Sequence, residues 1–222
     1  PRAIIRGSQT AIVVGKSGEE IWTDQYGRIK VKFHWDQSPA QDETSSCWIR
    51  VTQGWAGQQW GSLFIPRIGQ EVIVSYLDGN PDRPIITGCV YNGQQTTPYT
   101  LPEEQTKSTI KSNSSKGGSG YNELRFEDKK GSEEIFIQAQ KDMNVSVLAD
   151  QTITVANNRT VTVSQKNESL TVSQGNRTLA VTQGNETHTV GGKRDITVTG
   201  DESHTNSAKF TQQVTGDFAL NI

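Results

Sequence analysis

The second half of the chain repeats with a very short period, and that period limits what it can fold into. From Val147, anchors recur at Val155, Val163, Val172, Val181, Val190, Val198, Asn206, Val214 and Ile222. The steps between them are 8, 8, 9, 9, 9, 8, 8, 8 and 8 residues. A second apolar residue stands two positions before most anchors: Val145, Ile153, Val161, Leu170, Leu179, Ile196 and Leu220. Asn158, Asn167, Asn176 or Asn185 lies five before an anchor, and Gly175, Gly184, Gly192, Gly200 or Gly216 lies six before. Each unit therefore reads as a turn followed by a short strand with apolar residues at i and i+2 on one face. The abundance of Val and Thr suits strands, and a fixed short period means stacked similar units.

The period also predicts how many chains are required. Facing sheets stand about 10 Å apart and a strand rises about 3.3 Å per residue. A triangular coil of eight residues would have sides of under three residues, with no interior for its own Val and Leu. Three chains wound together supply about 24 residues per coil and a filled interior. A single chain using two units per coil, as calcium-binding β-helices do, would need a G-G-x-G-x-D loop in each repeat. None of these units has one. Ice binding through flat Thr-x-Thr arrays, such as Thr160-Val161-Thr162, fits poorly with a period that switches between 8 and 9. The expectation is an intertwined homotrimer. The extra residue of the longer units should widen the corners at Gln174-Gly175 and Gln183-Gly184.

The first half is different in kind. All five Trp residues fall between Trp22 and Trp60, which separates a packed globular half from a repetitive one. Short strands are expected at residues 11–14, 29–35, 48–51, 61–65, 71–77 and 85–91, punctuated by Gly and Pro. In the second of these Ile29, Val31, Phe33 and Trp35 alternate with polar residues. With no helical periodicity, such strands fit a small Greek-key barrel of the OB type.

Function classes can be tested against the same residues. Lys30, Lys32 and His34 near Tyr26 and Trp35 resemble a basic stacking platform. With a net charge of −2, they read better as a solvated strand face or a subunit contact, and no nucleic-acid partner is expected. No acid–base pair or nucleophile with its base stands out. His34 sits within a strand, while Glu19-Glu20, Asp42-Glu43 and Glu103-Glu104 fall in turns, where solvated charge is the natural reading. No catalysis and no cofactor are expected. Cys47 and Cys89 could pair, but two cysteines in 222 residues read better as buried small apolar residues. No apolar run is long enough for a membrane span, and no secretory signal opens the chain.

From Trp60 onward the residues become specific. Trp60-Gly61-Ser62-Leu63-Phe64-Ile65-Pro66-Arg67-Ile68-Gly69-Gln70-Glu71-Val72 is followed by Gly79-Asn80-Pro81-Asp82-Arg83-Pro84-Ile85-Ile86-Thr87-Gly88-Cys89-Val90-Tyr91-Asn92. Upstream stand Asp24-Gln25-Tyr26-Gly27-Arg28, Phe33-His34-Trp35-Asp36 and Cys47-Trp48-Ile49-Arg50-Val51; downstream, Asn122-Glu123-Leu124-Arg125-Phe126-Glu127-Asp128. Over almost its whole length the chain resembles the VgrG family, the trimeric spike of the type VI secretion system, itself similar to the central spike of contractile phage tails.

The resemblance implies an all-β chain: an OB-fold domain at 1–95, a linker at 96–120, then connector strands and a triple-stranded β-helix at 121–222. It implies a non-enzymatic, membrane-puncturing spike seated on a tube of Hcp hexamers, with a PAAR-repeat protein at its tip and toxin effectors as cargo. Such a spike starts in the bacterial cytoplasm and is secreted into the target cell on firing. The phage spike carries a lysozyme domain between barrel and helix, whereas 96–120 is too short for one. A phage tail spike whose cell-wall hydrolase is encoded elsewhere is the alternative. The N-terminal hub of the family is not represented, and the repeat register has not ended at Ile222, so a fragment of a longer protein is expected.

Two residues break the repeat. His188 stands two before Val190, and His204 two before Asn206, in slots filled elsewhere by Leu179 or Ile196. In a threefold assembly each would appear three times at one level, a donor set for a metal ion, an anion or water. A hydrated polar interior, or a local shift that turns either ring outward, is the alternative.

Overall fold

The computed structural model describes residues 3–219. They divide into two compact units, one ending at Gln151 and one beginning at Thr152. Apart from a single 3₁₀ turn at Leu77–Gly79, the regular structure among them is β.

The first unit opens with five strands: β1 (Gln9–Val14), β2 (Lys30–Phe33), β3 (Arg50–Val51), β4 (Glu71–Tyr76) and β5 (Pro84–Val90). They are ordered β2-β1-β4-β5-β3, antiparallel except for the parallel β3–β5 pair. Residues just ahead of the two edge strands then pair with each other. Ile29 N–H donates to Ile49 O at 2.9 Å, and Ile49 N–H donates to Ile29 O at 2.8 Å. This exchange closes the sheet into a barrel and removes its open edges. Alternate residues of the strands point inward: Ala11, Val13, Ile29, Val31, Ile49, Val72, Val74 and Ile86 are all buried. Each of the larger ones contributes about 1.5–3 kcal/mol.

Several details depart from the strand pattern. Trp35 is exposed, because β2 stops at Phe33 and the chain turns there, with Asp36 N–H donating to Phe33 O. The Trp35 ring stacks on Phe33 at 5.1 Å and its Nε1 donates to Gln9. Residues 61–65 form no strand. Gly61 sits at φ 136, where a Cβ would lie 2.3 Å from Trp55 O. Beyond it the Gln53 side chain pairs with both Phe64 N–H and Phe64 O, supplying what a neighbouring strand would otherwise give. Cys47 and Cys89 are free and exposed rather than buried. Cys47 lies in the loop before β3. Cys89 follows an irregularity at Ile73/Val74 that leaves Thr87 unpaired and shifts the alternation.

The lysines of the apparent basic stripe are occupied. Lys30 Nζ donates to Glu43 O and lies 5.0 Å from the Trp48 ring centroid. Lys32 Nζ donates to Asp36 and Ser38. With Lys32 as chief donor, the Asp36 carboxyl is lowered to about 2.

A second sheet follows within the same unit: β6 (Lys107–Lys111), β7 (Glu123–Glu127) and β8 (Glu134–Gln138), antiparallel in chain order. The stretch 96–120 therefore carries a strand as well as linker composition. Its Gly/Ser loop is fastened to the barrel. Ser115 Oγ and Gly117 N–H donate to the Glu20 carboxylate, each at 2.7 Å, and hold its pKa below the ordinary value. Lys116 pairs with Glu19 at 3.0 Å, and Arg67 donates to Asn113 O at 2.8 Å. Glu19-Glu20 is thus a joint rather than free surface charge.

Glu123 is the one buried charged residue among those described. Tyr99 Oη donates to it, as does Thr109 Oγ1 at 2.8 Å. Burial works against the carboxylate, but these two donors, with Lys111 and Arg125 nearby, outweigh it and the pKa is lowered.

In the second unit no described residue belongs to a strand or bridge. The backbone runs extended between bends at 156–157, 164–166, 173–175, 182–184, 191–192, 199–200, 207–208 and 215–216. The bends span three residues in the nine-residue units and two in the eight-residue units. Gly175 and Gly184 take φ of 95 and 103, so the extra residue is absorbed at the expected corners.

The lowered pKa of Glu123 fixes the sign of a pH effect. Its contribution is complete above the ordinary value of 4.5 and is lost as pH falls through the lower folded value. Glu123→Gln should cost about 1–3 kcal/mol near neutral pH. It should also flatten the fall in melting temperature between about pH 5 and 3. Thermal melts of both proteins across that range check it.

Candidate assembly interface

The second unit presents one continuous feature, an uncovered apolar stripe. The anchors Val155, Val163, Val172, Val181, Val190, Val198 and Val214 are 46–52% exposed, an almost constant value. The apolar partners two before them, from Ile153 to Ile196, are 56–68% exposed. Residues two apart in extended chain share a face, so each unit shows both side chains on one side. Constant exposure means that the local conformation is the same from unit to unit. Leu220 and Ile222 lie outside the described residues.

Two kinds of group in this unit lack a partner. The apolar side chains are half in water, and the backbone N–H and C=O groups of 152–219 have no strand to pair with. Such a segment is not stable alone. Strands from outside the chain would satisfy both needs, pairing the backbone and covering the stripe.

The β6–β8 sheet in the first unit has a matching open face. Ile110, Leu124 and Ile137 stand in register across its strands, as do Phe126 and Ile135, and all five are exposed. The opposite face is used internally: Arg125 reaches Glu134 at 2.6 Å and lies over the Phe136 ring at 4.3 Å.

The sequence-selected histidines occupy the partner slots, each beside a carboxylate. His188 Nε2 is 2.5 Å from Glu186 Oε1, and His204 Nε2 is 2.8 Å from Glu202 Oε1. The shared Glu-x-His spacing was visible in the sequence but is hidden by a search confined to apolar slots. His34 lies 4.0 Å from Glu71. Among the described residues no three His, Cys, Asp or Glu of one chain come together to hold a metal ion. A cleft of about 310 Å³ in the barrel unit is walled largely by Phe33, Trp35, Ile49, Tyr76 and Pro84. Its one carboxylate, Asp36, is already held by Lys32 and Ser38.

Residues 108–222 match the bacteriophage T4 gp5 C-terminal trimerisation domain, and residues 10–91 match the type VI secretion system/phage-baseplate injector OB domain. The chain belongs to the VgrG spike family. It is 61% identical over 165 residues to the type VI secretion system spike protein VgrG1b of Pseudomonas aeruginosa, covering 73% of this chain and 22% of that protein. VgrG1c of the same organism is 59% identical over 73% of this chain and 23% of its own length. The actin cross-linking toxin VgrG1 of Vibrio cholerae is 48% identical over 73% of this chain and 15% of its own. The match thus spans between 15% and 23% of the length of these VgrG relatives. The barrel coincides with the OB-domain match, and the repeats fall within the trimerisation-domain match.

Burying each Val or Leu of the stripe contributes about 1.5–3 kcal/mol. Val181→Asp would place three like charges at one level of a trimer and should abolish assembly of the repeat half. Sedimentation of the purified variant checks this. A trimer melting at the unaltered temperature would show that Val181 does not face inward.

Proposed function

We propose that this chain is the barrel and shaft of a homotrimeric spike that pierces a target-cell membrane and carries effectors, without catalysis of its own. The uncovered stripe carries this reading. A repeat that cannot cover itself, on a chain whose relatives are type VI spikes, suits a shaft wound from three copies. In the proposed assembly the barrel end faces the Hcp tube and the shaft leads to a PAAR-repeat tip, with toxins as cargo. The spike would wait in the bacterial cytoplasm and leave the cell on firing.

Two measurements test the proposal. Native mass spectrometry should give three copies, and a monomer would overturn the architecture. In a bacterium whose spike carries these residues, Val181→Asp should abolish killing of neighbouring cells and release of Hcp. Undiminished killing by that strain would remove the mechanical role.

Within the same reading, we propose the His188 and His204 levels as axial sites for a metal ion, an anion or ordered water. The Glu186 and Glu202 contacts would orient the rings. Axial density level with His204, lost in a folded His204→Leu trimer, is the expected result. A dry axis at that level removes the site.

A further inference from the structure

Four positions before six consecutive anchors, from Val163 to Asn206, lies a charged residue that the apolar pattern does not use, and its sign alternates. Arg159, Glu168, Arg177, Glu186, Arg194 and Glu202 stand four before Val163, Val172, Val181, Val190, Val198 and Asn206. At two of these positions the structure shows the side chain on the stripe's own side of the chain. Glu186 and Glu202 each reach the histidine two residues on, in the slot that elsewhere holds Leu179 or Ile196. Side chains return to the same face every second residue. The positions four before, two before and at the anchor therefore make one surface. Among the described residues, Arg159, Glu168, Arg177 and Arg194 have no ion pair within their own chain.

That surface is the one a trimer must cover, and the argument here rests on the trimer reading. Stacked strands lie about 4.8 Å apart. When three chains wind together, a strand of one chain is bordered on its face by strands of the others, carrying the preceding and following units. The Arg177 and Arg194 levels are then each flanked by two glutamate levels contributed by different chains, and the Arg159 level by one. Opposite charges side by side on adjacent strands stabilise the pair, and like charges oppose it.

We propose that this alternating ladder sets the register in which three copies of the chain wind. The apolar stripe cannot do so alone. Its anchors are valine at every described level but that of Asn206, with nearly constant exposure, so sliding one chain by a unit exchanges Val for Val at most levels. The same slide sets Arg against Arg and Glu against Glu along the ladder. A slide by two units restores the charges but sets three-residue corners of the nine-residue units against two-residue corners. Charge opposes the odd slips throughout the ladder, where corner length mismatches only at the ends of the longer run, and corner length opposes the even ones.

The test uses self-sorting. A full chain with every ladder charge exchanged (Arg159→Glu, Glu168→Arg, Arg177→Glu, Glu186→Arg, Arg194→Glu, Glu202→Arg) remains complementary to itself and should trimerise alone. Co-expressed with unaltered chains of different mass, it should form mixed trimers at least about tenfold below their statistical share, read by native mass spectrometry. Mixed trimers at the statistical share overturn the proposal. So does failure of the exchanged chain to trimerise where the unaltered chain succeeds, unless a milder pair of variants shows the coupling. Arg159→Glu alone should speed trimer unfolding at least about threefold, and the same change in a Glu168→Gln background should not. Equal acceleration in both backgrounds overturns the ladder. An unaltered chain that stays monomeric removes the trimer reading, and the ladder with it.

Discussion

Everything in the repeat half depends on one deficit: its backbone has no partner in its own chain. Residues 152–219 run extended between regular bends without one internal strand pair. An unpaired N–H or C=O shut away from water is costly, so the apolar stripe beside them cannot be buried until those groups are paired. Backbone pairing and side-chain burial must therefore come together, from the same source. A strand from another chain would supply both at once, so assembly and folding of this half would be a single event.

The barrel half solves the same problem internally. Five strands would leave two raw edges, and the reciprocal Ile29–Ile49 exchange joins them. Its core is then complete within one chain, with Ile29, Val31, Ile49, Val72 and Val74 almost wholly removed from water. The β6–β8 sheet is intermediate. One face is satisfied by Glu123, Arg125 and Phe136, while Ile110, Leu124 and Ile137 on the other remain open. Self-sufficiency thus declines along the chain, from a closed barrel to a half-covered sheet to a segment covered by nothing of its own.

This gradient explains what could be read from the sequence. The period, anchors and corners of the repeat were legible because they are local properties: the three-residue bends follow from nothing more than an extra residue between valines. The barrel's inward residues were legible for the same reason, since alternation is local. What escaped was set by partners distant in sequence. No pattern in 61–65 shows that the Gln53 side chain will occupy the Phe64 backbone. Glu19-Glu20 looked like loose surface charge because its partners, Ser115, Lys116 and Gly117, lie more than 90 residues away. Trp35 continued the alternation on paper, but the strand it belonged to had already turned. In the assembly stripe the anchors were evident, whereas the charged position four before them was not, because an apolar search passes over charge by construction.

A shaft wound in this way would also resist force in a manner that a stack of separate domains does not. In a single-chain sheet, one edge strand can peel while the rest holds. In the proposed trimer the neighbours of every strand belong to other chains, and each chain passes around the axis from one level to the next. Freeing one strand means disturbing two other chains at levels above and below, so a local opening has no low-energy path to spread. Identical valine levels spread the load evenly, and the price of that uniformity is an ambiguous register. The features that interrupt the uniformity, three longer units and a run of alternating charge, fall together between Arg159 and Glu202. Register information is therefore concentrated in the middle of the described repeats, where a mismatch would cost contacts on both sides of it.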